Sequence, residues 1–184
     1  MKRISAAFLL VFVSLSFMHS NRARAIIGHE SDSTTDLANG SAQPRARKCV
    51  REDLRIKEGE TDAAMGGVRE TPYIFTNISS SACTLDGYPA LELLNQKGVV
   101  VRRATKQKSD EPRAAVTLDP GKTAWFNFSY NSGGAGHMGK PCPTYPKLKI
   151  MAPGTTRAFV LRSGVQSCPR TDIQVSSIQS GAPQ

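Results

Sequence analysis

The chain has 184 residues, 24 Lys and Arg against 15 Asp and Glu, a net charge of +9, and 4 Cys. That length suits one domain of ordinary size. A composition 39% hydrophobic and 7% aromatic excludes a multi-span membrane protein. The positive charge raises the question of a polyanionic partner.

The first segment has the layout of an export signal. Met1-Lys2-Arg3 is a short cationic start, and an almost wholly apolar run follows from Ile4 to Met18. This run is shorter than the roughly 20 residues a spanning helix needs. It leads to Ala23-Arg24-Ala25, a small-x-small site, so cleavage is predicted after Ala25. The alternative is an uncleaved membrane anchor. If residues 1–25 leave, Lys2, Arg3, Arg22 and Arg24 go with them and no acid does, so the charge falls from +9 to +5.

Residues 26–47 are rich in Ser, Thr, Asp, Gly and Ala, with almost no large apolar side chain after Ile27. Such a segment buries too little surface to offset its ordering entropy and is expected to be a disordered linker. Residues 179–184 are expected to be a similar tail. The folded domain is expected over residues 48–178.

Behind an export signal, an even number of Cys points to disulfides. Three pairings of Cys49, Cys83, Cys142 and Cys168 are possible, and no C-x-x-C pair supports zinc. Strand order favours one set. If the strands around 54–57 and 73–78 lie antiparallel side by side, Cys49 and Cys83 meet at one end. The same logic joins Cys142 to Cys168 through strands at 148–150 and 159–161.

Between the cysteines the pattern is short strands and turn residues. Ala124, Phe126, Phe128 and Tyr130 alternate with Trp125, Asn127 and Ser129, a period-2 signal. Asn95-Gln96-Lys97-Gly98 reads as a hairpin turn, and Asp119-Pro120-Gly121-Lys122 as a type II turn with Pro then Gly at its centre. No 3.6-residue periodicity appears beyond the export signal. The expectation is an all-β fold, an antiparallel sandwich of immunoglobulin-like type. Tyr73, Phe75, Trp125, Phe126, Phe128 and Phe159 are read as core rather than as a ligand pocket.

One stretch carries a resemblance. Asn77-Ile78-Ser79-Ser80, followed by Cys83-Thr84-Leu85-x-Gly87-Tyr88-Pro89, resembles the signature of a secreted bacterial family, domain of unknown function 4232. The first and last Cys, and the V-T-L-x-P-G stretch from Val116 to Gly121, fit the same pattern. The resemblance implies an extracytoplasmic immunoglobulin-like sandwich and carries no catalytic residue. Asn77-Ile78-Ser79 and Asn127-Phe128-Ser129 also match glycosylation sequons. In predicted strands these are read as chance.

Candidate chemistry is thin. Residues 134–140 match a phosphate-binding loop up to Lys140, but Pro141 stands where magnesium binding needs Ser or Thr. His137-Met138 offers two copper-type ligands, short of a useful set. His137 is the one His after the linker, and no G-x-S-x-G nucleophile motif exists. Arg102, Arg103, Lys106 and Lys108 form a basic tract that is a possible anion-binding surface. The plainer reading is a solvated edge and loop.

The sequence therefore predicts an exported, non-catalytic binding or structural module of the cell envelope. No cofactor or metal is expected. The expected partner is a protein or an envelope polymer, not nucleic acid, and the protein is expected to be a monomer. The alternative is a polyanion or metal-ligand binder using the basic tract or His137. An extracytoplasmic hydrolase ranks below it.

Overall fold

The computed structural model describes residues 46–108, 114–133 and 141–183. The predicted export signal, nearly all of the predicted linker, and His137 with its glycine-rich surroundings lie outside the described residues.

The described chain is built almost wholly of strands: β1 (Arg47–Lys48), β2 (Leu54–Glu58), β3 (Asp62–Ala63), β4 (Val68–Asn77), β5 (Cys83–Leu85), β6 (Ala90–Leu94) and β7 (Val100–Arg103). There follow β8 (Thr105–Lys106), β9 (Val116–Leu118), β10 (Thr123–Asn131), β11 (Thr144–Met151), β12 (Phe159–Gln166), β13 (Gln174–Val175) and β14 (Gln179–Ser180). The longest sheet runs β2-β4-β10-β13-β8, with β3 added to β4 and β14 to β10. A second sheet runs β12-β11-β6-β7, and a small third one β1-β5-β9.

Alternation decides which side chains are inside. On β10, Ala124, Phe126, Phe128 and Tyr130 are buried, while Trp125, Asn127 and Ser129 between them are only half covered. Their cross-strand partners on β4 follow the same parity, Phe126 opposite Tyr73 and Ala124 opposite Phe75. The second sheet contributes Leu91, Leu93, Leu148, Ile150 and Phe159 to the same cluster. Phe75 and Phe159 meet across the two sheets with ring centroids 5.9 Å apart. Each such buried ring or Leu stabilises the fold by about 1.5–3 kcal/mol.

Tyr73 is wholly buried in this core. Burial, with the charge of nearby Glu58 adding to it, pushes its phenol far above the ordinary tyrosine range.

The all-β class and both disulfides are as expected. β2 pairs antiparallel with β4, Leu54 opposite Asn77, and Cys49 and Cys83 meet at that end with Cα atoms 4.8 Å apart. β11 pairs antiparallel with β12, Thr144 opposite Gln166, and Cys142 bonds Cys168 just beyond. Both predicted turns are present. Gly98 donates to the Asn95 carbonyl at 2.9 Å and Lys122 to the Asp119 carbonyl at 3.0 Å. Gly121 has φ +77°, the left-handed value a type II turn needs at that position.

Three features differ from the sequence reading. Pairing is not purely antiparallel: β1 runs parallel to β5, and β8 parallel to β13. Paired structure begins at Arg47, inside the predicted linker, because Arg47 and Lys48 bond alongside Cys83 and Thr84. It also extends past Ile178, because Gln179 and Ser180 pair with Trp125 and Ala124. Strands of two residues carry too little pattern for periodicity to register.

Candidate functional site

The basic tract is divided by the fold. Arg102 ends up half-buried on β7 and closes the loop that follows β12. It donates to Ser167 Oγ at 2.7 Å, to the Cys168 carbonyl at 2.9 Å, and to the Thr171 carbonyl. Arg103 points the other way and donates from Nε to Glu92 Oε1 at 2.8 Å. Glu92 Oε2 also takes Lys149 Nζ at 3.0 Å. Burial alone would raise the Glu92 carboxyl, but its two cationic partners together hold it below the ordinary range.

β7 belongs to one sheet and β8 to the other, so the tract is also the crossover between them. Lys106, on β8, stands 5.0 Å over the Tyr88 ring. Lys108 is exposed. The four cations thus have different surroundings: Arg102 is engaged inside the fold, Arg103 pairs with Glu92, and Lys106 and Lys108 are exposed.

The signature stretch is equally committed to the fold. Asn77 is fully buried at the end of β4. Its amide donates to the Ser81 and Leu118 carbonyls, each at 2.8 Å. Its side-chain oxygen accepts from the Ser79 backbone at 2.9 Å and from Ser79 Oγ at 2.8 Å. One side chain therefore ties the loop after β4 to β9. With both amide hydrogens used inside the protein, Asn77 is not a glycan acceptor in the folded state. Cys83, Thr84 and Leu85 form β5 between β1 and β9. Gly87, at φ +90°, turns its carbonyl toward the Ile178 amide at 2.9 Å.

The first strand is fixed at the same corner. The Arg47 guanidinium forks onto Asp53 at 2.5 and 2.8 Å, and the Val50 amide donates to Asp53 at 2.8 Å. The Arg47 hydrogen bonds hold the Asp53 carboxyl below the usual range, against the opposing effect of burial.

Residues 49–182 match the family described as Domain of unknown function (DUF4232). The chain belongs to that family. No curated protein matches it. In this DUF4232 domain the signature residues therefore do structural work: a disulfide, a buried amide hub and a left-handed turn.

Surface clefts lined by the described residues include two of similar size. The first, of about 270 Å³, lies between Val50–Glu52 and Gly154–Arg157. Its charges are already engaged. Arg51 sits 3.6 Å from the Phe159 ring centroid, and Glu52 pairs with Arg157. The second cleft, also about 270 Å³, lies on the outward face of the β4–β10 sheet. Glu60, Asp62, Pro72, Trp125, Asn127 and Pro183 line it.

The segment carrying the two acids is pinned in three places. The Gly59 amide donates to the Pro72 carbonyl at 2.8 Å. Thr61 Oγ1 and Thr71 Oγ1 share a hydrogen bond of 2.9 Å, and Asp62 pairs opposite Glu70 in the sheet. A Cβ on Gly59 would stand only 2.8 Å from Pro72 Cγ, so glycine is what allows the close approach.

The sequence reading placed Trp125 among the core aromatics, and the structure corrects this. Tyr73, Phe75, Phe126, Phe128 and Phe159 are buried, and Trp125 faces outward. The strict alternation on β10 contained the signal, since Trp125 has the parity of Asn127 and Ser129. Among the described residues, no group of three or more His, Cys, Asp and Glu converges to hold a metal, and no helix is long and apolar enough to cross a membrane.

Proposed function

We propose that this DUF4232 domain is an immunoglobulin-like, exported, non-catalytic binding or structural module of the cell envelope. What supports the reading is where its distinctive residues go. The four cysteines are all in disulfides, and the signature residues are consumed in holding β1, β4, β5 and β9 together. The result is a stapled frame whose outward sheet face carries an aromatic and acidic cleft. Two disulfides suit an oxidising compartment outside the cytoplasm.

The polyanion alternative is weaker, because Arg102 spends its donors on the protein itself and Arg103, though exposed, is already paired with Glu92. Binding through the tract would weaken steeply and linearly with salt on a logarithmic scale.

The test is a saturable capture experiment with envelope fractions at low and high salt. Retention at high salt is the expected result. Turnover of a wall-derived or ester substrate by the pure protein, lost on one point substitution, would replace the module with an enzyme.

A further inference from the structure

We infer that the Trp125 cleft is a recognition site for a lysine or arginine side chain presented by a protein or peptide partner. The site deepens the binding-module reading and rests on it.

The charge of the cleft runs against that of the molecule. The chain carries +9, yet the cleft holds two carboxylates, Glu60 and Asp62. Among the described residues neither is in an ion pair, unlike Asp53, Glu52 and Glu92. Lys57 lies on the same sheet, but it does not line the cleft. Two acids held by a pinned segment, without an ion-pair partner among the described residues, leave the cleft locally acidic.

Trp125 supplies the second half of the site. It is the sole Trp of the chain, and it sits partly exposed on the outward sheet face, lining the cleft with Pro72 and Pro183. Indole is the strongest cation–π partner among the side chains. Pro183 adds partly open apolar surface suited to the methylene stem of a long cationic side chain, and Pro72, itself buried, forms part of the cleft wall. Asn127 adds a polar side chain for hydrogen bonding at the rim.

Size limits the occupant. About 270 Å³ falls just below the roughly 300–1,000 Å³ of pockets that enclose whole small ligands. One extended side chain fits this volume better than a complete metabolite. The first cleft has the same volume, but its Glu52 is already paired with Arg157, so it lacks the free charge.

Trp125 also makes the site self-reporting, since its emission is the only tryptophan signal in the protein. The experiment titrates the purified chain with Nα-acetyl-lysine amide and Nα-acetyl-arginine amide at fixed ionic strength. The neutral Nα-acetyl-norleucine amide is the control. At least one cationic probe is expected to change Trp125 emission saturably, with a dissociation constant on the order of millimolar for so small a contact. The relative strength of the two cationic probes tells ammonium from guanidinium preference. A Glu60→Gln/Asp62→Asn double variant, confirmed as folded by its circular dichroism and melting curve, is expected to bind about tenfold more weakly.

An equal response to norleucine amide, or undiminished binding by the double variant, overturns the proposal. So does the absence of a saturable change with both cationic probes. If these failures coincide with salt-resistant capture from envelope fractions, the module reading survives and this site is removed from it.

Discussion

The corner around Asn77 and the outward face around Trp125 use polar residues in opposite ways. At the corner, Asn77 satisfies both of its amide hydrogens and its oxygen inside the protein, and Asp53 takes a fork from Arg47 and a backbone amide. On the face, Glu60 and Asp62 are held in place by their backbone, while their charges stay unpaired among the described residues. The Asn77 motif and the Cys83–Leu85 stretch of the family signature lie in the first region. A signature of this kind identifies the frame and says little about what the frame presents. In this chain the functional question moves to residues the signature does not include.

The strongest way to break the corner is to remove its covalent link. Replacing Cys49 and Cys83 by Ala opens a loop closed over a sequence separation of 34 residues. Chain-entropy reasoning then gives a loss of about 4 kcal/mol, read by urea denaturation. Replacing Cys142 and Cys168, separated by 26, is expected to cost about 3.5 kcal/mol. Asn77→Ala comes next. It strands the Leu118 and Ser81 carbonyls and the Ser79 amide at a buried site, for an expected loss of about 3 kcal/mol. If Asn77→Ala melts like the parent protein, the signature is not structural and the contrast between the regions collapses.

These effects also mark what was legible in the sequence. The disulfide pairing was, because it needs only strand direction and which end each Cys occupies. The core rows were, because a period of two survives in strands as long as β4 and β10. The role of Asn77 was not: its partners Ser81 and Leu118 come from a loop and from a strand 41 residues away, so the residue passed as a chance sequon. Arg102 likewise read as surface charge, while its partners at Ser167, Cys168 and Thr171 lie 65 to 69 residues on. Trp125 was legible in principle, through its parity, and was misread because aromatic residues in strands are usually core.

The basic tract offers a comparison of middle size. Arg102→Ala removes three charge-assisted donations from a half-buried side chain and is expected to cost about 2 kcal/mol. Lys108→Ala, at an exposed position, should stay within about 0.5 kcal/mol of the parent. Similar losses at both positions would mean that the tract acts as one unit.

Acid sharpens the same distinction. Burial raises the Glu92 carboxyl, but its hydrogen bonds with Lys149 and Arg103 prevail. For Asp53 the Arg47 fork is the leading cause. Both carboxyls are held below their ordinary values. A depressed folded-state pKa contributes stability that is present above the unfolded value, about 4, and is lost as pH falls through the folded value. Stability should therefore decline as pH drops below about 4. Glu92→Gln and Asp53→Asn should each flatten that decline relative to the parent.

A modest expected effect is the most telling for the outward face. Trp125 is partly exposed, so Trp125→Ala forfeits less than a full aromatic burial and is expected to cost about 1–2 kcal/mol. A fully buried aromatic of the same sheet would cost several times more. The part of the indole left open to solvent has no packing use within the fold. The cleft beside Glu60 and Asp62 offers it a use. A Trp125→Ala variant that melts near the parent, yet captures less partner from envelope fractions, would separate the two regions cleanly. A variant that unfolds as readily as Asn77→Ala would place Trp125 with the frame instead, and would leave the two acids without their aromatic wall.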